Sequence, residues 1–328
     1  MSAAGTRALP RRPAVRLTGL GFGAAQGGNL YHATSDETFQ GAVDAAWDAG
    51  IRYFDTAPHY GLGLSERRLG AALRTRPRDA FVVSTKVGRL LVPSPQTAQQ
   101  RDPEGFDVPA ALRREWDFSR DGVLRSLEAS LQRTGLDRID VVYLHDPDDH
   151  WDQAAKQAVP ALAELRDQGV IGAVGAGMNQ SAMLARFVRE TDVDLVMCAG
   201  RYTLLEQGAL EDLLPAATER GVGVVIAGVY NSGLLARDRP PADATYNYQP
   251  APAELIDRAR RIADACEAHG VNLPAAALAF VRRHPAVVST VVGLRSAAQV
   301  EQTLQRASAA VPDALWPALR AAGLLPAE

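Results

Sequence analysis

Arg220-Gly221-Val222-Gly223-Val224-Val225-Ile226-Ala227 compresses the end of a helix, a turn and a strand into eight residues. Glycine stands where a helix that stops in the left-handed conformation needs it, and an apolar β-rich run begins at once. The same punctuation recurs at Ala49-Gly50, Gln168-Gly169 and His269-Gly270, and three of these four glycines lead directly into the next run. Working outward, comparable runs occupy Leu20–Gly23, Arg52–Asp55, Phe81–Lys86, Asp140–Leu144, Val170–Ala176, Asp194–Cys198, Val222–Ala227 and Val287–Val292. Each is followed by helix-like sequence, an alternation that implies a parallel sheet. Eight such units predict an α/β protein with a (β/α)8 TIM barrel. No linker divides residues 1–328, so we expect one domain.

The chain has 328 residues, 47% of them hydrophobic, and a formal charge of -3. That is enough for a large core, and it supplies no field to gather nucleic acid or an acidic membrane. A small molecule is the expected partner. Two cysteines, Cys198 and Cys266, are too few for a disulfide framework and point to a reducing compartment, the cytoplasm. The basic start, with Arg7, Arg11, Arg12 and Arg16 before Leu17–Ala25, lacks the apolar core of a secretory signal, because Arg16 and several glycines interrupt it. No stretch holds the ~18 apolar residues of a membrane span.

Two connections exceed the ~2–6 residues usual for βα loops, one from about Val87 to Phe118 and one from about Gly228 to Pro250. Both follow strands, the third and the seventh. They therefore lie on the face where barrel active sites are built. Pro312 to Glu328 reads as a short helix and tail.

Only two lysines occur, Lys86 and Lys156. Lys86 closes Phe81-Val82-Val83-Ser84-Thr85-Lys86-Val87, a strand with no evident solvent face, where an ammonium requires a paired charge. Asp55, at the end of the preceding strand, is the natural partner. Tyr60 follows in Asp55-Thr56-Ala57-Pro58-His59-Tyr60-Gly61, and His145 closes Val141-Val142-Tyr143-Leu144-His145. Asp55, Tyr60, Lys86 and His145 thus share the C-terminal rim, a proton-transfer constellation in which Lys86 makes Tyr60 more acidic. A purely structural ion pair and a packed core histidine are the alternative readings.

In these motifs, Asp55-Thr56-Ala57-x-x-Tyr60-Gly61, Ser84-Thr85-Lys86 and Leu144-His145, the sequence resembles the aldo-keto reductases from about Gly19 to Arg306. The resemblance implies a nicotinamide-dependent oxidoreductase with Tyr60 as general acid/base, Lys86 and Asp55 tuning it, and His145 orienting the substrate oxygen. Hydride would pass between substrate carbon and nicotinamide C4. Gly61–Glu66, Ala199–Gln207 and Gly228–Leu235 are similar to the branch containing L-fucose and D-threo-aldose 1-dehydrogenases, with pyridoxal 4-dehydrogenase nearby. That branch implies oxidation of an aldose at C1 to a lactone.

The implied cofactor residues are Gly23, Asn179, Tyr230, Ser232, Gly233, Leu235, Gly293, Arg295 and Gln299, with Ser296 offering backbone N–H groups to a phosphate. Asn179 would hold the nicotinamide amide. The chain departs from the family at Met178, usually serine, at Ala199, usually glutamine, and at Gly228, where a stacking tyrosine is usual and Tyr230 is close. Gly293 and Gln299 stand where NADP-preferring relatives carry lysine and arginine, so NAD is the expected cofactor, with NADP possible through Arg295. Tyr31, His59 and Trp116 are candidate substrate residues, and Trp151 a further pocket wall.

Gly19-Leu20-Gly21-Phe22-Gly23-Ala24 lacks the glycine pattern and βαβ context of a dinucleotide fingerprint. His145-Asp146-Pro147-Asp148-Asp149-His150 has metal-binding residue types in a turn that disfavours a compact ligand face, so no metal is expected. Pyridoxal or general aldehyde and ketone chemistry, a cofactor-binding regulatory subunit and a metal-dependent hydrolase are the competing readings.

Overall fold

The computed structural model describes residues 5–247 and 249–327. Eight strands close a parallel barrel in chain order: β1 (Leu20–Gly23), β2 (Tyr53–Asp55), β3 (Val82–Val87), β4 (Val141–His145), β5 (Ala173–Met178), β6 (Leu195–Ala199), β7 (Gly223–Ala227) and β8 (Val287–Gly293). Around them run α1 (Asp36–Asp48), α2 (Leu64–Leu73), α3 (Arg120–Thr134), α4 (Val159–Asp167), α5 (Ser181–Glu190), α6 (Leu213–Arg220), α7 (Ala253–Ala268), α8 (Leu273–Val281) and α9 (Ala297–Ser308). The (β/α)8 expectation holds. Gly221 ends α6 at φ 63°, in the left-handed conformation that the opening motif required. The fifth strand starts later than expected, at Ala173, because Val170 sits 46% exposed in the turn after Gly169.

Inward and outward side chains alternate along each strand. The outward set, with Phe22, Phe54, Val83, Val142 and Ile226, joins the helices in a large apolar layer. The inward set is smaller: Tyr53, Val141, Tyr143, Ala173, Leu195, Met197, Val225, Val288 and Val291. Leu9, Val15 and Leu17 complete it. They belong to an antiparallel hairpin, Thr6–Ala8 with Arg16–Thr18, that floors the barrel. Leu9 and Leu17 are both 0% exposed, a burial that contributes about 1.5–3 kcal/mol each. Arginines pin this floor: Arg7 donates to the Val287 carbonyl at 2.7 Å, Arg11 to the Val193 carbonyl at 2.7 Å, and Arg12 pairs with Asp194 at 3.0 Å.

The two long connections carry structure of their own. After β3, Arg89–Pro93 and Leu112–Trp116 form an antiparallel hairpin. Its far segment is held by Arg114 against Asp102 at 2.5 Å and by a bridge between Leu30 and Phe106. After β7, Asn231–Gly233 makes a single turn, and Thr245–Tyr246 pairs with Gln249–Pro250. α10 (Leu315–Ala321) buries Leu315, Trp316 and Leu319, with Trp316 against Phe280 of α8. Among the described residues no helix is long and apolar enough to cross a membrane.

Candidate active site

Alternation along β2, β3 and β4 aims Asp55, Ser84, Lys86, Tyr143 and His145 to the barrel's inside. Register then sets their heights: Asp55 stands opposite Ser84, and Lys86 opposite Tyr143. Lys86 Nζ donates to Asp55 Oδ2 at 2.7 Å and to the Thr56 carbonyl at 3.0 Å, while Ser84 Oγ donates to Asp55 Oδ1 at 2.7 Å. Asp55 and Lys86 are 3% and 2% exposed. Burial alone would push the ammonium towards losing its proton, but the Asp55 carboxylate and then Tyr60 outweigh it and hold Lys86 above the ordinary lysine range.

Tyr60 reaches this pair from the turn after β2. Its backbone lies flat on Gly28, where a Cβ would come 2.5 Å from the Tyr60 carbonyl carbon, and the next residue, Gly61, has φ 61°. Two glycines therefore fix where the tyrosine stands. Its side chain is hydrogen-bonded to Lys86, whose Nζ is 4.8 Å from the ring centroid, and the His145 ring lies 5.8 Å away at 87°. Burial, then Arg89 and Lys86, push His145 well below the usual histidine range. It is a neutral imidazole. Sequence placed these four residues together, and the structure brings them within one cluster.

His59 joins the same cluster, 5.4 Å from His145 and 5.2 Å from Phe106, ring to ring. Burial, followed by Arg89 and Arg114, lowers its pKa to about 2. Arg89 pairs with Asp146 and places its guanidinium 4.4 Å over Trp116. Arg114 donates to the His59 carbonyl at 2.8 Å. Arg89, Arg114 and Phe106 escaped the sequence reading, because the connection that carries them was read as loop, and Asp146 was weighed there only as a metal-type residue. Leu112-Arg113-Arg114-Glu115-Trp116 shows no apolar–polar alternation, so no local signal marked this strand.

Trp116 and Tyr31 remain 45% and 48% exposed at the mouth of the barrel's loops. Trp151 does not join them: it packs outward on Phe187 at 4.8 Å, under Arg186, in the helix layer. As for a metal, His150 stacks near Trp116 and Phe118, and no group of three or more ligating side chains occurs among the described residues.

The residues that the resemblance implies for a cofactor lie at the ends of β1, β5, β7 and β8 and in the segments that follow them. Gly23 ends β1 beside Gly293 of β8, and a Cβ on Gly23 would come 3.1 Å from the Val292 carbonyl oxygen and 3.3 Å from the Gly293 nitrogen, a cradle tight against backbone. Gln26 Oε1 there is buried without a partner. Ser296 caps the 12-residue α9, leaving its first N–H groups at a positive helix end. Asn179 donates its amide to the Ala199 carbonyl at 2.9 Å, which keeps its own carbonyl oxygen as an acceptor. An unsatisfied acceptor, a glycine cradle and an anion-ready helix end fit a dinucleotide. The β7 segment offers less than expected. Gly233 and Leu235 give their N–H groups to the Tyr230 carbonyl, Leu235 is 0% exposed, and Tyr230 packs on the helix layer beneath Arg306. Gln299 is used locally, accepting from the Arg295 N–H at 2.9 Å, and the Arg295 guanidinium donates to the Leu30 carbonyl at 2.6 Å.

A barrel with these four side chains on its C-terminal rim defines a class, and the chain belongs to the aldo/keto reductase family, whose profile matches residues 19–323. It is 52% identical to D-threo-aldose 1-dehydrogenase of a Pseudomonas species over 95% of this chain and 96% of that one. It is 39% identical to pyridoxal 4-dehydrogenase of Microbacterium luteolum, covering 99% of each. Among solved structures, an aldo-keto reductase from Bacillus halodurans in its holo form aligns with a TM-score of 0.76 at 26% identity, over 98% and 97% of the two chains.

Proposed function

We propose that the protein is a nicotinamide-dependent aldose 1-dehydrogenase that oxidises the anomeric carbon of an L-fucose or D-arabinose type sugar to the lactone. The observation that carries this reading is the Asp55–Lys86 pair presented to Tyr60 beside a neutral His145. Tyr60 takes the proton of the anomeric hydroxyl as the C1–H bond breaks, and the C1–O bond becomes a carbonyl with the ring oxygen still attached. A bound nicotinamide supplies the hydride acceptor. Lys86 stabilises the phenolate form of Tyr60, Asp55 keeps Lys86 in place, and His145 orients the hydroxyl by a neutral hydrogen bond. The rim around them suits a sugar: Arg89, Asp146 and His59 offer donors and acceptors, and Phe106 and Trp116 offer ring faces for C–H groups. The 52% identity to a D-threo-aldose 1-dehydrogenase supports the same substrate class.

Gly23, Gln26, Gly293, Ser296, Arg295 and Asn179 would hold the cofactor. We infer a preference for NAD. Gly293 and Gln299 carry no charge, and recruiting Arg295 for a 2′-phosphate breaks its bond to Leu30. The missing charge-assisted contacts are worth about 2–4 kcal/mol, roughly 30- to 1000-fold in affinity. Two buried free cysteines fit a reducing compartment, and we place the enzyme in the cytoplasm.

A panel of aldoses, pyridoxal and simple carbonyls, run with NAD and NADP in both directions, tests the reading. L-Fucose or D-arabinose should give lactone with the highest kcat/KM, and NAD should exceed NADP. Pyridoxal exceeding every sugar would replace the substrate, and absence of turnover on all of them would favour a regulatory, cofactor-binding role.

A further inference from the structure

Beside the Asp55–Lys86 pair, the barrel holds three hydroxyls in succession. Tyr143 Oη lies 3.0 Å from Tyr53 Oη, Tyr53 Oη 3.1 Å from Ser84 Oγ, and Ser84 Oγ 2.7 Å from Asp55 Oδ1. All three residues are 0% exposed, so no bulk water competes for these bonds. Proton counting fixes their direction. A carboxylate only accepts, so the single proton of Ser84 goes to Asp55; the contact between Ser84 and Tyr53 must then carry the Tyr53 proton, and the contact between the two phenols that of Tyr143. Both phenols stay protonated at working pH, pushed up by burial first, with Asp55 next for Tyr53 and Tyr53 next for Tyr143.

We propose that Tyr143, Tyr53 and Ser84 form a one-way hydroxyl relay whose role is to position Asp55, and through it Lys86, for the proton transfer at Tyr60. This rests on the assignment of the rim as the active site. Asp55 spends Oδ2 on Lys86 and Oδ1 on Ser84, so the two bonds together fix the rotation of the carboxylate. Each hydroxyl turns its positive end towards Asp55, which tempers the negative charge behind Lys86 and leaves more of the ammonium's field to act on Tyr60. The charged groups facing this line are Asp55 from β2 and Lys86 from β3, while Tyr60, His59, His145, Arg89 and Arg114 cluster with one another at the rim. None of the three hydroxyls touches the pocket rim, so they are positioning residues.

The test compares Ser84→Ala, Tyr53→Phe, Tyr143→Phe, Ser84→Thr and Tyr60→Phe for kcat, KM, the pH profile of sugar oxidation and Tm. Removing a link loosens Asp55 and frees more of its negative charge, and both effects make the proton acceptor form at higher pH. The expected result is a kcat loss on the order of 10- to 100-fold in Ser84→Ala, less in Tyr53→Phe and least in Tyr143→Phe. KM should stay near the parent value, and the profile should move to higher pH in the same order. Ser84→Thr, which keeps the hydroxyl, should restore it. If Ser84→Ala does not fold, the two phenylalanine variants still carry the comparison, since each deletes one oxygen. An unmoved pH profile in the folded variants overturns the proposal, even where Tm falls. Near-normal turnover in Tyr60→Phe would instead overturn the site assignment beneath it.

Discussion

Two aspartates are buried at opposite ends of this barrel, and both are paired with cations. At the floor, Asp194 is 0% exposed, meets Arg12 at 3.0 Å and Arg166 at 3.2 Å, and accepts the Val174 N–H at 2.9 Å. Arg166 goes on to Asp192 and Asp167, so the network closes on protein charges. At the rim, Asp55 meets Lys86, and Lys86 goes on to Tyr60, a titratable group in the turn after β2. Burial and pairing are therefore common to both ends. What separates stability from chemistry is the next neighbour along the network, in keeping with barrels that hold stability at one end and catalysis at the other.

Lys86→Met breaks the comparison at its most sensitive point. It removes the cation that favours the phenolate form of Tyr60 and leaves Asp55 buried without its partner, so kcat should fall by roughly 10²–10⁴ and the residual activity should move to higher pH. A pH profile that stays in place would make Lys86 a structural cation like those at the floor.

Asp194→Asn should do the reverse. Two arginines lose their buried counter-charge, at a cost of about 3–5 kcal/mol in stability, while kcat measured on the folded fraction stays near the parent value. Denaturant melts beside active-site titration separate the two effects, and a large fall in kcat per folded molecule would contradict the division.

The smallest effect concerns acid. His59 has a folded-state pKa of about 2 and His145 also lies well below its ordinary value, so both stay neutral in the native state while the unfolded chain protonates them below about 6.5. The unfolded state binds more protons there, so stability present above that pH is lost as the pH falls. Each residue contributes a slope of up to about 1.4 kcal/mol per pH unit. His59→Gln should flatten the fall of Tm between pH 6.5 and 5, and an unchanged slope would show that other groups govern acid unfolding.

The reach of the sequence follows the same division. The rim cluster was readable because each member closes an apolar run or sits in a short turn motif, so strand order and period 2 brought Asp55, Lys86 and His145 to the inside of the same barrel end. The Tyr53–Tyr143 contact was not, since it spans 90 residues and needs the pairing of β2, β3 and β4 to be known first. Arg89 and Arg114 depend on a hairpin register that no local motif sets. The N-terminal arginines read as a failed signal, whereas their partners, Val193, Asp194 and Val287, lie far off in sequence, at or just before the starts of β6 and β8. Trp151 and Tyr230 were placed by proximity to strand ends, and the loop backbone turned both to the helix layer.

The central claim is that Tyr60 moves the proton while other groups hold the cofactor. Kinetics of sugar oxidation by Tyr60→Phe, with NAD binding followed by fluorescence on the same preparation, tests it most directly. The account predicts a loss of at least about 10²-fold in kcat with cofactor affinity within about twofold of the parent, as expected when a transition-state contact is removed and ground-state binding is left alone. Near-normal kcat in that variant would contradict it.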